Sequence, residues 1–251
     1  MLTEAISVSR RWLEVAASFL YPEICQSCEI ESATASQGYV CEKCRATVEF
    51  IKPPYCQRCG APFAGEITSP FICGLCRHSE LYFSHARGVV PFEGVVRDTL
   101  LKYKYNRALW IEPFFAELVQ NHAGPRLRDE GWDLIVPVPL HPRKRAEREF
   151  NQAERLGRHL SRAAGVPMEK RALRRILPTR TQTRLSASER AENVRKAFAF
   201  KGDPARIQDR RIVLFDDVLT TGATASACAR VLLQAGAREV CAWTLARGLL
   251  H

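Results

Sequence analysis

Eight of the ten cysteines fall between residues 25 and 76, and they fall as four Cys-x-x-Cys pairs: Cys25/Cys28, Cys41/Cys44, Cys56/Cys59 and Cys73/Cys76. No other feature constrains the fold of this chain as strongly. A Cys-x-x-Cys knuckle brings two thiolates to about 2.3 Å from one ion, and two knuckles complete a tetrahedral four-cysteine site. Eight such cysteines predict two zinc sites. The gaps of 12 residues (Cys28 to Cys41) and 13 residues (Cys59 to Cys73) favour sequential pairing, one zinc ribbon after another, over an interleaved cross-brace. The competing reading, a disulfide framework, needs a secretory context that this sequence does not display. Closed four-cysteine sites keep no open coordination position, so their metal is structural and supplies much of the folding free energy of so short a segment. Pro53–Pro54 reads as a stiff joint between the two zinc knobs. Cys228 and Cys241 lie outside the cluster and read as buried thiols, and His78 and His85 as ordinary surface residues.

At 251 residues, 46% hydrophobic and 25% charged, the chain has ordinary globular composition, and disorder is excluded as its general state. No window reaches about 18 consecutive apolar residues, which argues against a membrane-spanning helix. Arg10–Arg11 precedes a short apolar stretch, but Glu14 interrupts it and Tyr21–Pro22 ends it, so the expectation is a cytoplasmic chain. Within residues 1–21, Ile6, Leu13, Ala16, Ala17 and Leu20 lie near helical spacing and predict an amphipathic packing helix. The net charge of +10 is concentrated: residues 141–200 hold 16 Lys+Arg against 6 Asp+Glu, while the rest of the chain balances. Such a block gathers polyanions, whether nucleic acid or a pyrophosphate-bearing metabolite.

After a zinc module over 22–80, apolar runs alternate with helical patterns across 81–251. Strands are expected at 86–92, 134–140, 211–215 and 239–245, with helices over 94–120, 151–164 and 223–235, the last ended by Gly236. This order predicts an α/β domain: a mostly parallel twisted sheet with right-handed crossovers and helices on both faces. Ligands of such sheets sit beyond the carboxyl ends of the strands. There the strand at 212–215 runs into Asp216, Asp217, Val218, Leu219, Thr220, Thr221, Gly222, Ala223 and Thr224 before a helix begins. Thr220–Thr224 is a hydroxyl-rich turn with one glycine at a helix N-terminus, suited to cradle a phosphate with backbone N–H groups. Asp216 and Asp217 would repel that phosphate and instead suit the hydroxyls of a ribose diol. Together they describe a ribose 5-phosphate site.

Residues 213–224 resemble the 5-phosphoribosyl-1-pyrophosphate (PRPP) motif of type I phosphoribosyltransferases. The stretch Val136-Pro137-Val138-Pro139-Leu140-His141-Pro142-Arg143-Lys144-Arg145, then Arg148-Glu149-Phe150-Asn151-Gln152-Ala153, resembles the ComF family of phosphoribosyltransferase-like competence proteins. So does Gln182-Thr183-Arg184-Leu185-Ser186, continuing through Arg190 and Asn193-Val194-Arg195 to Ala197-Phe198. Cysteine knuckles ahead of the domain complete that family's layout from about Pro22. Glu149 departs from it, since the family usually has glycine there, which questions a positive-φ turn at that position.

The resemblance implies PRPP as ligand, with Mg²⁺ bridging pyrophosphate and ribose oxygens and keeping its waters rather than protein ligands. The chemistry it implies is displacement of pyrophosphate from ribose C1 by an acceptor that the sequence does not identify. Asp216 and Asp217 would hold the diol, and His141, Arg143, Lys144 and Arg145, on the loop after the strand at 134–140, would meet the pyrophosphate. Gln182–Ser186 has the composition of a loop that closes over a reacting ribose, or of a merely solvated one. Trp110, Phe114, Phe115 and Trp132 could stack a base, although helical spacing favours core packing for the phenylalanines. Arg174, Arg175, Arg180 and Arg184 are candidate contacts for a longer polyanion. Three readings stay open: a transferase, a PRPP- or nucleotide-binding protein without turnover, and a factor handling single-stranded DNA beside other competence or recombination proteins.

Overall fold

A computed structural model describes residues 23–63, 65, 69–177 and 196–248. The expected helix over 1–21, the loop at Gln182–Ser186, and Arg190 and Asn193–Arg195 lie outside these residues.

Two zinc-ribbon halves come first, and they repeat one design. In each, the first knuckle sits in a tight turn: Cys25 N–H donates to Glu31 O and Glu29 N–H to Cys25 O, as Cys56 N–H donates to Ala61 O and Gly60 N–H to Cys56 O. Glu29 (φ 58°) and Gly60 (φ 66°) occupy the same left-handed position, directly after the second cysteine of the turn. The second knuckle opens a short helix, α1 (Glu42–Ala46) after Cys41 and α2 (Gly74–Arg77) after Cys73. The linking segment is pinned at both ends, by Ile51 N–H on Val89 O and by Phe63 N–H on Pro54 O.

The remainder is an α/β unit. Strands β1 (Ala86–Pro91), β2 (Leu134–Pro137), β5 (Arg211–Leu219) and β6 (Glu239–Arg247) form one wholly parallel sheet in the order β1-β6-β5-β2. A short antiparallel ribbon, β3 (Leu173–Arg175) with β4 (Phe198–Phe200), is hydrogen-bonded separately from that sheet. Helices α3 (Gly94–Tyr105), α4 (Glu112–Glu130) and α6 (Gln152–Ala164) belong with one face of the sheet, where Leu100, Phe115, Val119, Leu156 and Leu160 meet Val213, Phe215 and Trp243. The other face carries α7 (Ala223–Gln234) and the β3–β4 ribbon, with Leu232, Phe198 and Ala172 against Ile212, Leu214 and Val240. Near-continuous apolar runs in the strands are what a sheet covered on both faces requires. The α/β architecture preceded by a cysteine-rich module is therefore as expected.

Boundaries differ in places. The stretch over 94–120, expected as one or two helices, is two, the second running on to Glu130, and β2 is shorter than 134–140. β5 and β6 run to Leu219 and Arg247 rather than ending at 215 and 245. Phe114, Phe115 and Trp132 are buried in the core as packing residues, and the partly buried Trp110 packs against it. Cys228 and Cys241 are fully buried, as expected. His85 is half-buried rather than on the surface, near the Trp132 ring, and burial lowers its basicity.

Candidate functional site

The sulfurs of Cys25, Cys28, Cys41 and Cys44 lie within 4.8 Å of one another, and so do those of Cys56, Cys59, Cys73 and Cys76. Pairing is sequential. The donor set suits zinc: four sulfurs converge in each cluster, and backbone amides support sulfurs in both. Cys41 N–H (3.3 Å) and Ser27 N–H (3.4 Å) point at Cys25 Sγ, and Cys73 N–H (3.3 Å) points at Cys56 Sγ. Burial alone would raise the Cys25 thiol, but backbone donors from Cys41, Cys28 and Ser27 outweigh it and bring it down to about 6. The equivalent Cys56 falls to about 7, with burial again opposed by backbone donors. Burial and sulfur neighbours push Cys44 up to about 12. Cys28 is lowered too, chiefly by the Glu31 and Ile30 amides, so backbone donors prepare Cys25 and Cys28 in the first cluster and Cys56 in the second, and a bound cation would deprotonate the others.

At the carboxyl end of β5 the chain places a second constellation. Asp216 and Asp217 are not beyond the strand but within it, so the pleat sends their side chains to opposite faces. Asp217 is nearly buried and pairs with Lys104 Nζ of α3 at 2.8 Å, both side chains being 13% exposed. Asp216 faces the α7 side, where Arg175 and Cys228 feel its charge. Burial and the neighbouring Asp217 carboxylate push Asp216 up to about 7, although Asp217 N–H donates to its Oδ1 at 2.8 Å. The pair thus presents one ion-paired carboxylate beside one that titrates near neutrality.

Thr220 and Thr221 follow, both exposed, and Gly222 is the N-cap of α7. Gly222 has φ +83°, a left-handed conformation, and a Cβ there would meet the Phe83 ring at 3.3 Å. Glycine is required on both counts. No side chain caps the helix, apart from Thr221 Oγ1 accepting from Ala223 N–H at 3.4 Å. The Ala223 amide meets Thr221 Oγ1 at that long distance, and the Thr224 amide belongs to the same first turn, at the positive end of the helix dipole.

β2 lies beside β5 in register, Pro137 opposite Phe215, and Val138 N–H continues the ladder to Phe215 O at 2.8 Å. This brings the loop after β2 to the same end as the cradle. His141 caps α5 (Pro142–Arg148), its Nδ1 accepting from Arg143 N–H at 3.3 Å. Arg143, Lys144 and Arg145 are exposed. Among the described residues, Arg143 and Lys144 make no ion pair. Glu149 ends this helix at φ +66°, so the positive-φ turn survives without glycine, and Arg107 Nη1 holds its Oε1 at 2.6 Å.

Sequence reasoning did not single out Lys104, Arg247 or Ser226. Lys104 sits on a helix more than a hundred residues before its partner, and nothing local announces the pairing. Arg247 did carry a signal, a lone charge at the end of an apolar strand run, since such a charge demands partners. The sequence offers Arg175 as a contact for a longer polyanion. It is instead half-buried against the Phe198 ring with Asp216 nearby, while Arg180 and Arg184 lie outside the described residues.

Residues 16–77 match the model of the Double zinc ribbon domain family. The DNA utilization protein YhgH of Escherichia coli K12 is 30% identical over 231 residues, covering 91% of this chain and 98% of that protein. Competence protein F of Haemophilus influenzae is 28% identical over 226 residues, covering 89% and 96%. Among solved structures, the purine phosphoribosyltransferase of Pyrococcus horikoshii Ot3 overlaps 53% of this chain and 74% of its own at 19% identity and a TM-score of 0.35. With tandem four-cysteine clusters, a parallel α/β unit and 30% identity along the whole of a relative, this chain belongs to the ComF family.

Proposed function

We propose that this chain is a phosphoribosyltransferase-like protein that binds PRPP with Mg²⁺ through residues 213–224 and serves DNA uptake or utilisation, or nucleotide metabolism beside it. The observation that carries the proposal is the continuity of β5, Asp216–Asp217, the open turn Thr220–Thr224 and the uncapped start of α7. In this reading the 5′-phosphate takes the turn amides, the ribose hydroxyls donate to Asp216 and Asp217, and the pyrophosphate takes His141, Arg143 and Lys144. Bound Mg²⁺ would neutralise pyrophosphate charge. Catalysis at ribose C1 then asks the protein for positioning and charge management rather than a covalent nucleophile. Whether an acceptor displaces pyrophosphate, or PRPP is held without turnover, is decided by pyrophosphate release with a panel of acceptors.

A role with DNA is supported by the relatives' names and by the exposed cations of α5. The two roles are compatible.

Calorimetric titration with PRPP and Mg²⁺ tests the ligand directly. Binding is expected for the natural chain, with Asp216→Ala/Asp217→Ala abolishing it while zinc content and fold persist. A charge-assisted hydrogen bond is worth about 1.5 to 3 kcal/mol, so either single change weakens binding roughly tenfold or more. Undiminished binding by the double variant overturns the diol assignment.

A further inference from the structure

The two four-cysteine clusters are alike internally but meet different parts of the α/β unit. The first leans on α3 and α4: Gly38 lies against the backbone of Ile111 and Phe114, Val40 enters the core, and Lys102 reaches Gln26 O at 2.8 Å. The second leans on the cradle. Leaving that ribbon, the chain passes under the start of α7, where Leu81 and Phe83 back Gly222 and Tyr82 N–H donates to Ser226 Oγ at 3.1 Å. Arg58 braces the same segment through Leu81 O and Ser84 O.

Between cluster and cradle lies Arg247, with no exposed surface at all. Its Cα is in register with Leu219 of β5 and Pro91 of β1. Gly88 makes room for it, since a Cβ there would come within 2.7 Å of Arg247 Cβ. On one side Nε donates to Cys59 O at 3.0 Å and Nη2 to Cys59 Sγ at 3.5 Å. On the other, Nη1 donates to the carbonyls of Leu219 (3.0 Å), Thr220 (2.7 Å) and Gly248 (2.5 Å). Among the described residues no carboxylate pairs with this guanidinium. A buried cation without a counter-charge is costly. Its partners are the carbonyl and sulfur of Cys59 and the strand-end carbonyls, and a divalent ion bound by four thiolates would place about two negative charges in net beside it.

The carbonyls it holds matter for the cradle. In a trans peptide the C=O and the following N–H point in opposite directions. Fixing Leu219 O and Thr220 O toward the interior turns the N–H groups of Thr220 and Thr221 the other way. From this geometry we infer that Arg247 is a positioning residue for the anion cradle, and that the second four-cysteine centre, not the first, is coupled to ligand binding through it. The inference rests on the cradle reading proposed above. Metal at Cys56/Cys59/Cys73/Cys76 would fix Cys59, whose carbonyl and sulfur hold Arg247, and Arg247 in turn holds the carbonyls that keep the turn amides aimed. Such coupling is reciprocal: whatever fills the cradle must tighten the second metal site by the same factor.

The test uses the full chain with its zinc. Zinc release into an excess of chromogenic chelator is followed with and without PRPP and Mg²⁺. The expected record has two phases, one slowed about fivefold or more by the ligand and the other unchanged. Both phases slowed alike, or neither slowed in protein that binds PRPP by calorimetry, overturns the coupling. Arg247→Lys, retaining two zinc ions, is expected to lose the ligand effect, because an ammonium cannot span Cys59 and two strand-end carbonyls together; a full effect in that variant also overturns it. If calorimetry finds no PRPP binding, the ligand reading fails separately. Hydrogen exchange then decides the coupling: amides of residues 219–226 should exchange about tenfold faster in Arg247→Lys than in the natural chain, with other β5 and α7 amides unmoved. Unchanged exchange there overturns the inference.

Discussion

At Glu149 the chain keeps a side chain where backbone sterics favour none. A non-glycine residue at φ +66° costs roughly 1–2 kcal/mol. The ion pair it makes with Arg107 is exposed, the two side chains being 65% and 52% accessible, and such pairs contribute about 0–1 kcal/mol. Glutamate is therefore tolerated there rather than favoured. Glu149→Gly is expected to stabilise by up to about 1 kcal/mol after the extra entropy of glycine in the unfolded chain is counted. Thermal unfolding measures it, and a loss of more than about 1 kcal/mol would show that the Arg107 contact dominates. Asp216 yields a prediction of another kind. Its carboxyl stands at about 7 in the fold against an ordinary 3.8, so the folded state binds its proton more firmly than the unfolded chain does. Stability must then fall as pH rises from about 4 to about 7, and Asp216→Asn should remove that descent. Acceptance of ribose hydroxyls needs the ionised form, so PRPP affinity should rise about tenfold between pH 6 and pH 8. Calorimetry at both values checks this, with Asp216→Asn separating the protein's proton from those of the ligand. An equal rise in that variant assigns the effect to PRPP.

Elements, rather than residues, decide how much of the site was legible. The order strand, acidic pair, threonine turn, helix is local, and its residues adopt that order. The end of β5 is not local. Two aspartates lower strand propensity, yet the parallel ladder to β6 carries on through Asp216 opposite Thr244 and Leu219 opposite Arg247. Tertiary pairing overrides the local preference, and with it the two carboxylates move from the strand's end into its pleat. Lys104 became visible only when α3 packed across that pleat. Helix α5 gives the opposite lesson, since its run of charges had to be solvated by composition alone, and it is. Its exposed cations make a prediction at this scale. If they track a nucleic-acid backbone, the affinity for a labelled 20-nucleotide single strand falls with salt by about 0.7 in log–log slope for each phosphate neutralised. Arg143→Ala with Arg145→Ala should lower that slope by about 1.4. No binding even at about 50 mM salt would leave the DNA role without support from this helix.

Across the whole molecule, the zinc module and the α/β unit share one interior. Val40 belongs to the same core cluster as Phe114, Phe115 and Trp243, and Ile51 N–H is bonded to β1. The sequence showed the eight ligands but not this continuity, because cysteine spacing records which sulfurs meet and says nothing about where the ribbon's outer face is laid. The consequence is that metal loss cannot stay confined to the ribbons. Without metal, the turns around Cys25 and Cys56 lose the charge that their amide donors were arranged to meet, and the short helices α1 and α2, too short to persist alone, lose their anchor. Gly38, Val40 and Ile51 then leave the surfaces they cover on α4 and β1. Elemental analysis of reduced, chelator-free protein should give two zinc ions per chain, and one or fewer would overturn the two-site assignment. Stripping that zinc should lower the unfolding temperature of the α/β unit itself, read from the buried Trp243. A loss of about 3 kcal/mol corresponds to a fall of roughly 6–12 °C for a chain of this size. A tryptophan transition that stays put while far-ultraviolet dichroism reports loss of the ribbons would mean that the two parts fold independently, contrary to the shared core.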